Sequence, residues 1–243
     1  MKTLLLFIGC LVAVSVEAAQ VRLVYEKAES SADTELVSEL RQTVAVNSAI
    51  ALMNDKFILS HPIDVVFGSG QQAYADIDAA KIFIPYSFVY DTRELFNAQG
   101  PGAVAATTGA LVHTLFHEFA HILVAMHEIP VLGREEDAAD TFASLMLIHY
   151  FPQGTESVID AAQLYYLERE QPHTLKKWDF MGEHSLSVQR HYQLICHVYA
   201  SDPEKYTDLR KRVGFSNDRA ELCFDEFQVA TKSWFDLLEP YLK

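Results

Sequence analysis

The strongest constraint on this chain is a helical stretch from Ala103 to His127, opened by the break Gln99-Gly100-Pro101-Gly102. Leu111, Leu115, Phe119, Ile122, Leu123 and Met126 supply its apolar faces, so the helix must pack against other elements. Inside it lies His117-Glu118-Phe119-Ala120-His121, an HExxH motif. The two histidines are spaced i, i+4 and project from one helix face about a turn apart. Imidazoles placed in that way can bind a single zinc ion (Zn2+) through their ring nitrogens. Glu118, i, i+3 from His121, leans over the open coordination position, where a carboxylate can take a proton from metal-bound water. HExxH by itself is only moderately specific, so its surroundings must carry part of the case.

A second helical stretch runs from Arg134 to about Tyr150, after a short reversal over residues 128–133. It carries Glu135-Glu136-Asp137-Ala138-Ala139-Asp140, in which Glu136 and Asp140 are again i, i+4. One of these carboxylates, Glu136 first, could complete the metal site while the other supports it. Asp140 is expected to accept a hydrogen bond from the non-ligating nitrogen of a zinc-bound histidine, His117 first, and so fix its tautomer. Ala138 and Ala139 keep this helix slim enough to approach the first. His127 is a rival ligand, because it follows His121 at the spacing of the last histidine in HExxHxxGxxH. That pattern needs a sharp turn through glycine, where this chain has Val124. On a continuing helix His127 is rotated from His121 by about 240°. His113 extends the histidine stripe, but it lies about 12 Å along the axis from His121 and is expected to be a core or cleft residue. Glu135 is expected to be solvated.

Early in the chain, Val21–Glu26 alternates like a half-buried strand, and residues 31–54 read as one capped helix. Residues 63–67, 73–76 and 81–84 read as strands, and Ser87–Phe96 as a helix. Lys81–Tyr86 reads either as an edge strand beside the cleft, where an extended substrate could add through main-chain hydrogen bonds, or as an internal strand contributing only core. Past the motif, residues 157–169, 187–199, 203–213 and 220–238 are predicted helices. The aromatic residues of this half, Tyr165 and Trp234 among them, are expected to anchor helix packing. Strands early and helices late predict an α+β fold in one domain over 19–243, strand-rich across 21–100 and helical across 103–243.

HEFAH followed by ExxAD (Glu136 to Asp140) resembles the gluzincin pattern, in which a glutamate on the following helix is the third zinc ligand. The longer stretch HEFAHILVAMHEIPVLGREEDAAD resembles a family of bacterial secreted metallopeptidases built on a domain of unknown function. Glu183 to Arg190 and Cys196 share that likeness, which covers most of the mature chain. The resemblance implies a zincin-like fold with a small mixed sheet, a long active-site helix and peptidase chemistry. Because it singles out the segment 183–190, it also makes His184, then Arg190, candidates for stabilising the oxyanion of a hydrolytic intermediate.

Met1-Lys2, the apolar run Thr3–Val16 and the small residues around Ala18 read as an export signal spanning 1–18. A periplasmic or extracellular location is therefore expected, with lipid anchoring through Cys10 as a lesser alternative. No later segment reads as a membrane helix. Loss of the signal removes Cys10 and leaves Cys196 and Cys223, expected to pair in an oxidising compartment. The signal contains one of the 19 basic and one of the 33 acidic residues, so the mature charge, 18 − 32, stays at −14. Such a surface disfavours nucleic acid or anionic lipid partners. The expected function is hydrolysis of peptide bonds by zinc-activated water. A non-catalytic exported zinc-binding module and a zinc amidase acting on a cell-wall amide are the alternatives.

Overall fold

The computed structural model describes residues 20–169 and 174–243. The expected signal, with Cys10, lies outside the described residues, as does His173. The fold is α+β: a four-stranded mixed sheet followed by a predominantly helical body.

Strands β1 (Val21–Tyr25), β2 (Ile63–Gly68), β3 (Tyr74–Asp76) and β4 (Lys81–Pro85) form the sheet in the order β1-β2-β4-β3. β1, β2 and β4 run parallel, and β3 is antiparallel to β4. Ile63, Val65, Phe67, Ile82 and Ile84 are fully buried, as the inner strands of a covered sheet require. Of the two alternatives for Lys81–Tyr86, this order selects the internal strand over the edge. β4 is paired on both sides, and the tight turn over residues 77–80 folds β3 back along it as the free edge.

The single helix expected over 31–54 is two, α1 (Ser31–Gln42) and α2 (Val44–Lys56). Thr43 takes extended dihedrals, φ −70° and ψ 109°. Polar side chains cover the carbonyls freed at this break: Thr43 Oγ1 donates to Glu39 O, and Asn47 Nδ2 donates to Arg41 O and Thr43 O. Next come α3 (Tyr86–Asn97), α4 (Ala103–Met126), α5 (Glu135–Tyr150), α6 (Gly154–Glu168), α7 (Ser187–Ser201), α8 (Thr207–Val213) and α9 (Asn217–Leu238).

α4 is the central element, packed against α2, α3, α5 and α6. By length and composition it is apolar enough to cross a bilayer, contrary to the expectation from sequence, but 78% of its most apolar window is buried within the fold. Gly109 lets α6 come close, since a Cβ there would clash with the Asp160 side chain. Phe57, Phe119, Phe142 and Trp234 form a chain of ring contacts that joins α4 and α5 to α9. A disulfide between Cys196 and Cys223 ties α7 to α9.

Candidate metal centre

α4 and α5 face one another across the polar positions of their otherwise buried surfaces. His117 Nδ1 lies 2.9 Å from Asp140 Oδ1, and His121 Nδ1 lies 2.8 Å from Glu135 Oε1. A carboxylate can only accept, so each Nδ1 carries a hydrogen, and in the neutral ring the Nε2 lone pair is left for an ion. The two Nε2 atoms meet at 3.3 Å. Glu136 Oε2 joins them, 3.1 Å from His117 Nε2 and 3.7 Å from His121 Nε2. One potential ligand atom from each of His117, His121 and Glu136 thus faces a common point, an arrangement suited to a metal ion that takes the place of the shared protons.

The acid–base properties of the cluster follow from the same geometry. Burial opposes charge on His117, but the hydrogen bonds to Asp140 and Glu136 outweigh it and raise the imidazole to about 9. Burial likewise disfavours the Glu136 carboxylate, yet the hydrogen bonds from His117, His121 and His184 hold it far below the usual range. Glu118 is buried against the histidines, and that burial raises its carboxyl pKa despite the pull of His117 and His121. It shares a cleft with His117, His121, Glu136, His184 and Tyr74. Ala73, Ala75 and Ile77 line the same cleft, so the free edge of β3 runs beside the cluster.

His184 stands on the open side. Its Nε2 lies 2.8 Å from Glu136 Oε2, and its side chain is 53% exposed. The segment carrying it is moored to the start of α5, because Arg134 Nη1 donates to His184 O and Ser185 Oγ donates to Asp137 Oδ2. Arg190 is turned toward Asp140: Nε is 2.7 Å from Oδ2 and Nη2 is 2.8 Å from Oδ1. Glu135 is half exposed, in keeping with the solvated residue expected, but it also engages His121. Sequence spacing could not have shown this, since whether position 135 or 136 faces α4 depends on the rotation of α5.

Two histidines stand apart from the cluster. His127 Nε2 lies 3.0 Å from Ile58 O and its ring stacks on Tyr241. His113 is fully buried, and burial lowers its pKa to about 3, keeping it neutral. A larger cavity of about 540 Å³ lies elsewhere, between α3, α4, α6, α7 and α8, and Asp160 and His191 line it. Among the described residues it brings together no comparable set of ligand atoms, so the smaller cleft is the candidate for chemistry.

No curated protein and no solved structure matches the chain. A family model described as “Putative metallopeptidase” matches residues 25–238 and so contains the whole His117, His121 and Glu136 cluster together with both disulfide cysteines. With a match over most of its 243 residues, the chain belongs to this metallopeptidase family.

Proposed function

We propose that the protein is an exported zinc metallopeptidase in which His117, His121 and Glu136 hold the ion and Glu118 handles protons. The observation that carries this reading is the convergence of two Nδ1-anchored imidazoles and one carboxylate oxygen, with Glu118 buried in the same cleft. Donors at about 2.0–2.1 Å from a tetrahedral ion stand roughly 3.3 Å apart. The spacings of 3.1, 3.3 and 3.7 Å suit that polyhedron, and two nitrogens with one oxygen suit zinc. The Cys196–Cys223 disulfide fits an oxidising compartment and supports export.

Zinc in such a site acidifies a water molecule and polarises the scissile carbonyl. Glu118 accepts the proton of the attacking water and returns it to the departing amine. Its partly apolar burial raises its proton affinity, which favours that shuttle over a permanently ionised carboxylate. His184, exposed and within reach of the cluster, stabilises negative charge developing on the carbonyl oxygen. An extended peptide lies along the free edge of β3 through main-chain hydrogen bonds.

The test is Glu118→Gln in the mature chain. Bound zinc is expected to stay at the wild-type stoichiometry while cleavage of unstructured protein substrates falls by about 10²–10⁴-fold. Full activity in that variant would remove Glu118 from the mechanism. Zinc-loaded wild type that cleaves muropeptides but no peptide would favour the amidase, and cleavage of neither would favour the binding module.

A further inference from the structure

Behind the candidate ligands lies a second buried layer drawn from α6 and α7. Asp140 is only 1% exposed, so its carboxylate must be satisfied by protein groups. Asp140 Oδ1 faces His117 Nδ1 at 2.9 Å, Tyr165 Oη at 3.1 Å and Arg190 Nη2 at 2.8 Å, and Oδ2 faces Arg190 Nε at 2.7 Å. Arg190 Nη2 also donates to Tyr165 Oη at 2.5 Å, and the guanidinium lies over the Tyr165 ring, 3.9 Å from its centroid. The tyrosine hydroxyl therefore accepts from the arginine and donates to the aspartate, which gives it one orientation. Arg190 is planar and bidentate, so it holds Asp140 in direction as well as in charge.

We infer that Tyr165 and Arg190 are positioning residues of the metal centre, acting through Asp140 on the Nδ1–H of His117. Four helices thereby converge on one ligand: α4 supplies His117, α5 Asp140, α6 Tyr165 and α7 Arg190. Without Arg190, Asp140 would be a buried carboxylate lacking its counter-charge, free to rotate its oxygens. That rotation loosens the ring orientation that aims His117 Nε2 at the ion. The role rests on the zinc reading above, but metal binding can test it without any assay of hydrolysis.

The experiment measures zinc affinity by competition with a chromophoric chelator, and the visible spectrum of the cobalt-substituted protein, for the mature chain and its variants. Arg190→Met is expected to bind zinc about 10–100-fold more weakly and to shift the cobalt bands. Arg190→Lys keeps the charge without the fork and should recover only part of that affinity. Tyr165→Phe should lose less than Arg190→Met, because both Arg190 contacts to Asp140 survive. Arg93→Met removes an ion pair with Glu39 remote from the centre and should bind as wild type does. If Arg190→Met does not fold, the same measurements on folded Arg190→Lys and Tyr165→Phe decide the question. Wild-type affinity and an unchanged cobalt spectrum in the folded variants would overturn the positioning role and leave the zinc reading standing. A wild-type chain that binds no zinc would overturn the zinc reading itself.

Discussion

Glu136 and His127 compete for the same task in the amino-acid sequence, and the fold separates them. Glu136 Oε2 lies within 3.7 Å of Nε2 on His117, His121 and His184, whereas His127 is engaged with Ile58 O and Tyr241. Glu136→Ala is therefore expected to weaken zinc binding by about 100-fold or more, and His127→Ala to leave it within about twofold of wild type. Equilibrium dialysis with metal analysis measures both, and the opposite ranking would exchange their roles. At this scale HExxH is legible because i, i+4 spacing on a helix is a local geometric fact. The engagement of Glu135 with His121 is not legible, because it depends on how α5 is rotated against α4.

Between elements, the close approach of α4 and α6 has an electrostatic cost. Asp160 sits where Gly109 allows the helices together, and burial, then the neighbouring charge of Glu156, raises its carboxyl to about 7. A folded-state pKa raised above the unfolded value means that the folded chain holds this proton more tightly. The associated stability is present in full below the unfolded pKa of about 3.8 and is lost as the pH rises through about 7. Asp160→Asn should thus gain stability relative to wild type with rising pH. Allowing for the partial exposure of the group, the gain should be about 1–2 kcal/mol at pH 8 and should vanish below pH 4. Urea unfolding of both proteins at a series of pH values reads the difference, and a pH-independent gap would refute it. The junction of α5 and α6 shows how element boundaries slip: α6 begins at Gly154, ahead of the expected Ser157, where the chain passes close to the Leu147 carbonyl of α5.

For the whole molecule, the disulfide joins α7, which carries Arg190, to α9, which carries Trp234. Closing a loop with a sequence separation of 27 residues should stabilise the fold by about 3–4 kcal/mol in the chain-entropy model. Cys196→Ala/Cys223→Ala, or reduction under native conditions, is expected to lower the denaturation midpoint accordingly. An unchanged midpoint would mean that helix packing alone holds this part of the fold. The amino-acid sequence by itself determined the α+β order of elements, the long apolar helix, the HExxH face and the carboxylates of the next helix. Each of these rests on periodicity within about 15–25 residues, and side-chain spacing on a helix is set by the backbone alone. Only the tertiary structure decided that β3 rather than β4 is the free edge and that the helix over 31–54 breaks at Thr43. It also brought Tyr165 and Arg190 onto Asp140. Those last two contacts join residues 25 and 50 positions apart, where chain topology and helix rotation select the partner and local propensity has no say.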